Sequence, residues 1–211
     1  MKAKNIRKII LTGFMPFGGY PANPVQESTE YFHGKKFGRF HEREVIGVVL
    51  PCNYFGAFQI LSSLIDKERP GVIISTGLAS SVQGIRIETR FHNNMNGKYP
   101  DNEGYHPVNI PIKLIASDFY DATADAAFLN QLLVSKNIPT EISNDADAFI
   151  CNSLGFLTTK KILNERLRIK NTFIHIPWTD DYRDTVPLAP EKMYLEKEKL
   201  YQALELLFNA M

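Results

Sequence analysis

Along this chain, short densely apolar runs alternate with longer stretches in which apolar residues recur at helical spacing. Ile9, Ile10 and Leu11 belong to the first run, read as a buried strand over 6–12 that ends against Gly13. Asn23 followed by Pro24 has the form of a helix start, a capping side chain and then a proline in the first turn. That helix runs to about His33, where Gly34 stops it. A second strand over 45–50 closes at Pro51. Over 54–67, Phe55, Phe58, Leu61 and Ile65 share one face, which predicts a helix. A third strand, 72–75, ends in the turn at Gly77. Ile85 and Ile87 alternate with polar neighbours as an extended piece, and Pro100-Asp101-Asn102-Glu103-Gly104 is a turn-forming loop. Further helices are predicted over 123–136, 152–167 and 191–208, with strands at 140–143 and 172–176.

Strand and helix alternate nearly throughout. The pattern favours an α/β fold: a single-domain, three-layer α/β/α sandwich around a mostly parallel twisted sheet. A length of 211 residues suits one domain, taken as 1–211, with a sizeable core. In such folds ligands bind at the carboxyl ends of the strands. The places to search for chemistry are therefore 13 onward, 77 onward, 144–151 and 175 onward.

Composition narrows the class. Lys and Arg number 24 against 23 Asp and Glu, a net charge of +1, so a broad phosphate-tracking surface and a nucleic-acid partner are not expected. No apolar stretch approaches the roughly 18 residues of a membrane helix. After the basic start, the apolar run Ile9-Ile10-Leu11 is too short for a signal-peptide core. The two cysteines, Cys52 and Cys151, form no CxxC, which argues against a disulfide framework or a Cys-based zinc site. The expectation is a cytoplasmic protein with free thiols. His33, His41, His92 and His106 show no ligand spacing, and His41-Glu42 lacks the second histidine of a zinc helix. Residues 77–81 do not have the glycine spacing of a dinucleotide loop, and no phosphate loop or GxSxG elbow occurs. Neither a metal nor a cofactor is expected.

Cys151 falls between a strand and the predicted start of a helix, where amide N–H groups can stabilise a thiolate. It can equally be a small buried hydrophobe. His175 lies near the end of the strand that follows the cysteine's helix. A β–loop–α–β passage can bring the two together, although a histidine bonded to a core carbonyl fits the same position. Glu88 could orient the imidazole as the third member of a triad, or pair at the surface with Arg86 or Arg90. Cys52, after Pro51, could line a pocket, with a passive filling role favoured. The run Glu196-Lys197-Glu198-Lys199 reads as a solvated helix face.

Taken together, five stretches resemble the pyroglutamyl peptidase I family of cysteine peptidases, in the right order and over nearly the whole chain. They are Thr12-Gly13-Phe14-Met15-Pro16-Phe17-Gly18-Gly19 followed by Asn23-Pro24; Ile87-Glu88 with Asn93; Pro100-Asp101-Asn102-Glu103-Gly104; Phe149-Ile150-Cys151-Asn152; and Phe173-Ile174-His175-Ile176-Pro177. The resemblance implies a cofactor-free exopeptidase that removes N-terminal pyroglutamate from peptides. By it, Cys151 is the nucleophile, His175 the general base and acid, and Glu88 the orienting carboxylate, while Phe14, Phe17, Phe149 and Ile150 line an apolar substrate pocket. Self-association as a tetramer is an expectation from the resemblance alone.

The chain departs from the family's pattern at Met15, at Leu78-Ala79-Ser80-Ser81-Val82, at Lys98-Tyr99 and at Asp145-Ala146-Asp147. Carboxylates facing a thiolate would raise its pKa, whereas solvent-facing ones would be screened; a leucine at position 78 would weaken lactam recognition or alter leaving-group preference. Two other readings follow: an amidase with the same triad and a shifted small cyclic or acylated substrate, or a non-catalytic small-molecule-binding α/β domain.

Overall fold

Strand β1 (Arg7–Phe14) holds Ile9, Ile10 and Leu11 in the middle of a seven-stranded sheet, all three buried. An unbroken apolar run suits a parallel strand covered on both faces. β1 lies parallel to β3 (Arg43–Leu50) on one side and to β4 (Val72–Leu78) on the other. Beyond β4 comes β9 (Lys170–Ile176), also parallel. The next strand, β5 (Ile85–Glu88), runs antiparallel to β9 and pairs in parallel with β8 (Thr140–Ser143). A short antiparallel strand, β2 (Lys36–Phe37), edges β3. The order is β2-β3-β1-β4-β9-β5-β8. This computed structural model describes residues 7–39, 42–189 and 192–211.

Helices cover both faces. α1 (Pro24–Phe32) starts where Asn23 accepts a hydrogen bond from the Val25 N–H, at 3.2 Å. It packs on β1 and β3. Its Phe32 meets Phe208 of α5 (Lys197–Ala210) at a 5.2 Å centroid distance, and Tyr31 stacks on Tyr201. α3 (Ala126–Val134) packs against α5. α2 (Gly56–Glu68) and α4 (Ile150–Asn164) pack together as the other layer. The fold is the α/β class expected from the alternation. No helix among the described residues is long and apolar enough to cross a membrane.

Several features differ from the sequence expectation. β4 runs to Leu78, so Gly77 belongs to the strand and not to a turn. α4 begins at Ile150, so Cys151 stands in its first turn instead of before it. α5 begins at Lys197, not near 191, because the backbone of Leu195 pairs instead with Trp178 and Asp180. Extended pairing satisfies the same backbone groups a helix would. A two-stranded ribbon of β6 (Arg90–His92) and β7 (Phe119–Asp121) was not foreseen, since three-residue strands carry no readable period. Ile6, the basic start, His41 and Glu191 lie outside the described residues.

The ribbon locks the start of α4. Asn152 accepts the His92 N–H at 2.7 Å and donates to the carbonyls of His92 and Asn94. One turn on, a Cβ at Gly155 would stand 2.3 Å from the ring of the buried Phe91. Gly155→Ala is therefore expected to destabilise the protein by about 1–3 kcal/mol through overpacking, outweighing the gain in helix propensity. Urea denaturation of both proteins checks this, and an unchanged midpoint contradicts it.

Candidate active site

The carboxyl ends of β4 and β9 bring the first two candidates together. Gly77 and His175 are register partners on these neighbouring strands. A Cβ at Gly77 would lie 3.0 Å from Cys151 Sγ and 3.0 Å from the Phe173 ring. The sulfur therefore sits directly over Gly77, beside the strand that carries His175, and glycine is what leaves room for it. Glu88 arrives from the opposite direction on antiparallel β5, next to β9. It is fully buried, and His175 Nδ1 donates to its Oε1 at 2.8 Å. Arg86 and Arg90 bind Glu141 and Asp121, so the surface pairing open to Glu88 in the sequence is not made. Glu88 Oε2 is buried without a partner among the described residues.

Cys151, His175 and Glu88 line one cavity of about 330 Å³. Phe14, Phe17, Phe149 and Ile150 line it too. Phe17 and Phe149 face each other at 6.3 Å, and Tyr99 meets Phe149 at 5.4 Å. Among the departures, Leu78 and the carboxyl-bearing turn at 145 and 147 also border this space, whereas Met15 is exposed and does not line it. Asp145 accepts the N–H of Asp147, and Asp147 accepts that of Ala148. Both carboxylates thus shape the turn that delivers the chain into α4, with Asp147 at φ 65°.

The charge environment opposes ionisation of the resting sulfur. Burial pushes the Cys151 thiol well above its ordinary value, and the neighbouring Cys52, with the carboxylates of Glu88 and Asp147, adds to the rise. Helix N–H groups pull the other way, and Phe149 at the N-cap makes no side-chain cap that would occupy them. Cys52 is buried, borders the same cavity, and is pushed up to about 12, by burial first and then by Asp101. Asp101 is itself a clamp. Its carboxylate accepts the N–H groups of Tyr54, Glu103 and Tyr105, while Asn102 N–H donates to the Cys52 carbonyl. The sequence marks this loop as a turn and as one of the family's stretches, but not as a clamp on Cys52 and Tyr54. Gly77, Asn152 and the aromatic walls Tyr99, Tyr20 and Trp178 were missed as well. Only Asn152, beside the nucleophile candidate, and Tyr99, already marked as a departure, carried a signal. No group of His, Cys, Asp and Glu among the described residues is arranged to hold a metal.

A family model described as pyroglutamyl peptidase matches residues 7–199. The pyrrolidone-carboxylate peptidase of Thermococcus kodakarensis is 31% identical over 96% of this chain and 96% of its own. That of Thermococcus litoralis is 33% identical over 83% of this chain and 79% of its own. Among solved structures, the pyrrolidone carboxyl peptidase from Thermococcus litoralis superposes with a TM-score of 0.88 at 31% identity, covering 95% of this chain and 90% of that one. Bacillus amyloliquefaciens pyroglutamyl peptidase I gives 0.86 at 27%, covering 95% and 94%.

Two outcomes are expected from this geometry. Gly77→Ala pushes a methyl against Sγ and the Phe173 ring, so alkylation of Cys151 by iodoacetamide slows while the fold is kept. An unchanged alkylation rate contradicts the close fit. The second concerns pH. A folded Cys52 keeps its proton up to about 12, whereas an unfolded thiol loses it near 8.5. Stability from this group is complete below about pH 8.5 and declines as pH rises through that window, by up to ~1.4 kcal/mol per pH unit. Urea midpoints at pH 8 and pH 10 should diverge more in the parent protein than in Cys52→Ala, and equal slopes sink the assignment.

Proposed function

Since the chain belongs to the pyroglutamyl peptidase family, and is a cysteine peptidase that hydrolyses pyroglutamyl peptides, we propose that Cys151, His175 and Glu88 carry the reaction and that the whole 1–211 chain serves as one catalytic domain. The observation that supports this most is the 2.8 Å His175–Glu88 hydrogen bond inside the cavity that Cys151 lines. With Nδ1–H held by Glu88, the other ring nitrogen, Nε2, keeps its lone pair and can accept a proton. The unpartnered Oε2 leaves buried negative charge that favours the imidazolium once it forms.

Pyroglutamate is a neutral lactam, so its site needs flat apolar walls and few charges. Phe14, Phe17, Phe149 and Ile150 offer such walls at the start of α4. His175 Nε2 takes the Cys151 proton, and the thiolate so formed attacks the carbonyl carbon that joins pyroglutamate to the next residue. The carbonyl electrons move onto its oxygen, which the backbone N–H of Cys151, in the first turn of α4, is placed to stabilise. The oxyanion then collapses, the C–N bond breaks, and His175 returns the proton to the leaving amine. Water, deprotonated by the same imidazole, attacks the thioester and releases pyroglutamate and the free thiol. The reading includes the cytoplasmic setting that two free thiols favour, and the self-association implied by the family.

Hydrolysis of a pyroglutamyl-coumarin amide tests the proposal. Cys151→Ala should abolish it. Glu88→Gln should lower kcat by roughly 10²–10⁴-fold with little change in KM, because the carboxylate acts through His175 and does not line up against substrate. Full activity in Cys151→Ala excludes the mechanism. Cleavage of other small acyl amides but not this one would instead favour the same triad with a shifted substrate, the change that Leu78 in the cavity wall would underlie.

A further inference from the structure

At the opposite edge of the sheet from the catalytic cleft, the amino ends of β3, β1, β4 and β9 meet at a basin of about 660 Å³. These four strands are neighbours and parallel, so the residues that begin them share one edge. β3 opens with Arg43 and β9 with Lys170, and Lys8 is the second residue of β1. Arg69 and Arg168 stand just ahead of β4 and β9. All five side chains line the basin. Val72 lines it too, while Gly77 lies under Cys151 Sγ, so at ~3.3 Å per residue the two sites are about 17 Å apart along β4.

Charge is not balanced there. The five cations face one side-chain carboxylate, Glu68, among the described lining residues. Glu68 binds Lys8 and lies 3.5 Å from Lys67 Nζ. Arg43 donates to the Phe208 carbonyl at 2.6 Å. Arg69, Arg168 and Lys170 are exposed and make no ion pair or side-chain hydrogen bond among the described residues. The carboxyl ends of α2 and α5 border the same space, and each supplies roughly half a negative charge. A terminal carboxylate on Met211, where this sequence stops, would supply one more. Set against Glu68, both helix ends and that carboxylate, the cations still keep an excess of about two charges. The whole chain carries only +1, so positive charge is gathered at this edge and not spread over the surface.

A concave wall focuses the field of such a cluster on whatever enters it. A ligand with several linked negative charges answers the three free cations together, whereas separate simple anions must each be bound anew. Phosphate oxygens match the guanidinium forks of Arg69 and Arg168 through pairs of parallel hydrogen bonds. The backbone N–H groups at this edge are already used: Gly71 donates to the Lys8 carbonyl, Lys170 to that of Gly71, and Arg69 to that of Ile65. Recognition therefore falls to side-chain charge. We propose that the basin binds a condensed phosphate, a chain of three or more linked phosphates either free or carried by a nucleoside, on Arg69, Arg168 and Lys170. The ligand sits across the sheet from Cys151 and leaves the catalytic cleft open. Because the site exists only where four strand starts and two helix ends are assembled, the ligand stabilises the folded protein.

Calorimetric titration of the full chain with sodium tripolyphosphate, at physiological ionic strength, tests this. One saturable site with a sub-millimolar Kd and a rise in Tm are expected, with orthophosphate roughly tenfold weaker or worse. ATP separates the two sources: tighter binding than tripolyphosphate identifies a nucleoside polyphosphate, weaker or equal binding a free chain. Arg168→Ala and Arg69→Gly should each weaken tripolyphosphate roughly tenfold, about the loss of one charge-assisted contact. Glycine suits the φ of 48° at position 69, so that variant keeps the end of α2. Lys136→Ala removes the same charge from an exposed position outside the basin and should leave the affinity unchanged. The site is overturned by absence of saturable binding, by equal affinity for orthophosphate, or by an equal loss in Lys136→Ala. Slower alkylation of Cys151 by iodoacetamide in the presence of tripolyphosphate would also overturn it, since the anion would then occupy the catalytic cleft.

Discussion

The hydrogen bond between His175 and Glu88 is the constraint on which the site depends. It requires a fully buried carboxylate to reach the end of β9 from a neighbouring strand. In an all-parallel sheet, residues at the carboxyl ends of neighbouring strands point outward into the same crevice. Here β5 runs the other way, so Glu88 enters beside β9 from below the crevice and stays out of water. The mixed sheet is thus what lets a carboxylate sit behind the imidazole instead of in front of it. Its desolvation would be costly for a lone charge, and the donating Nδ1–H offsets part of that. The remaining acceptor, Oε2, has no partner among the described residues, and its buried negative charge favours positive charge on the ring. Ground-state discomfort and support for the imidazolium are therefore the same physical feature.

The sulfur faces a comparable balance. The burial that would suit a neutral lactam on these aromatic walls also opposes ionisation of the thiol. The N–H groups at the start of α4 work against this effect. Much of the surrounding chain serves to keep that start in place. Asn152 ties it to the β6–β7 ribbon, the aspartates at 145 and 147 form the turn that feeds it, and Gly77 clears a space beneath it. Each of these helps to fix where the sulfur stands.

A second, smaller cluster around Trp178 organises the other side of the cleft. It arises because the segment following β9 does not turn at once into the last helix. Leu195 instead forms an isolated parallel bridge with Thr179, just after β9, exchanging hydrogen bonds with Trp178 and Asp180. The catalytic side of the molecule is therefore walled by two independent apolar units. One is the main core under the sheet, and the other is a satellite whose position follows from that late pairing.

Much of this was legible from residue order. Apolar runs and helical spacing marked the main strands and helices, since burial on one or both faces leaves a period that can be read locally. The motif order around Cys151, His175 and Glu88 pointed to a family and to three candidate roles. What could not be read was everything decided at a distance. Arg86 and Arg90 were equally good partners for Glu88 until the antiparallel entry of β5 turned that side chain inward. Residues 191–196 looked like the first turn of a helix until backbone groups far away in the fold competed for Leu195. The sequence alone settled the main strands and helices and which side chains could do chemistry, because those follow from local spacing and residue type. Tertiary structure alone settled strand direction, the inward turn of Glu88 and the glycine under the sulfur. These depend on contacts between residues that are remote along the chain, and no local pattern encodes them.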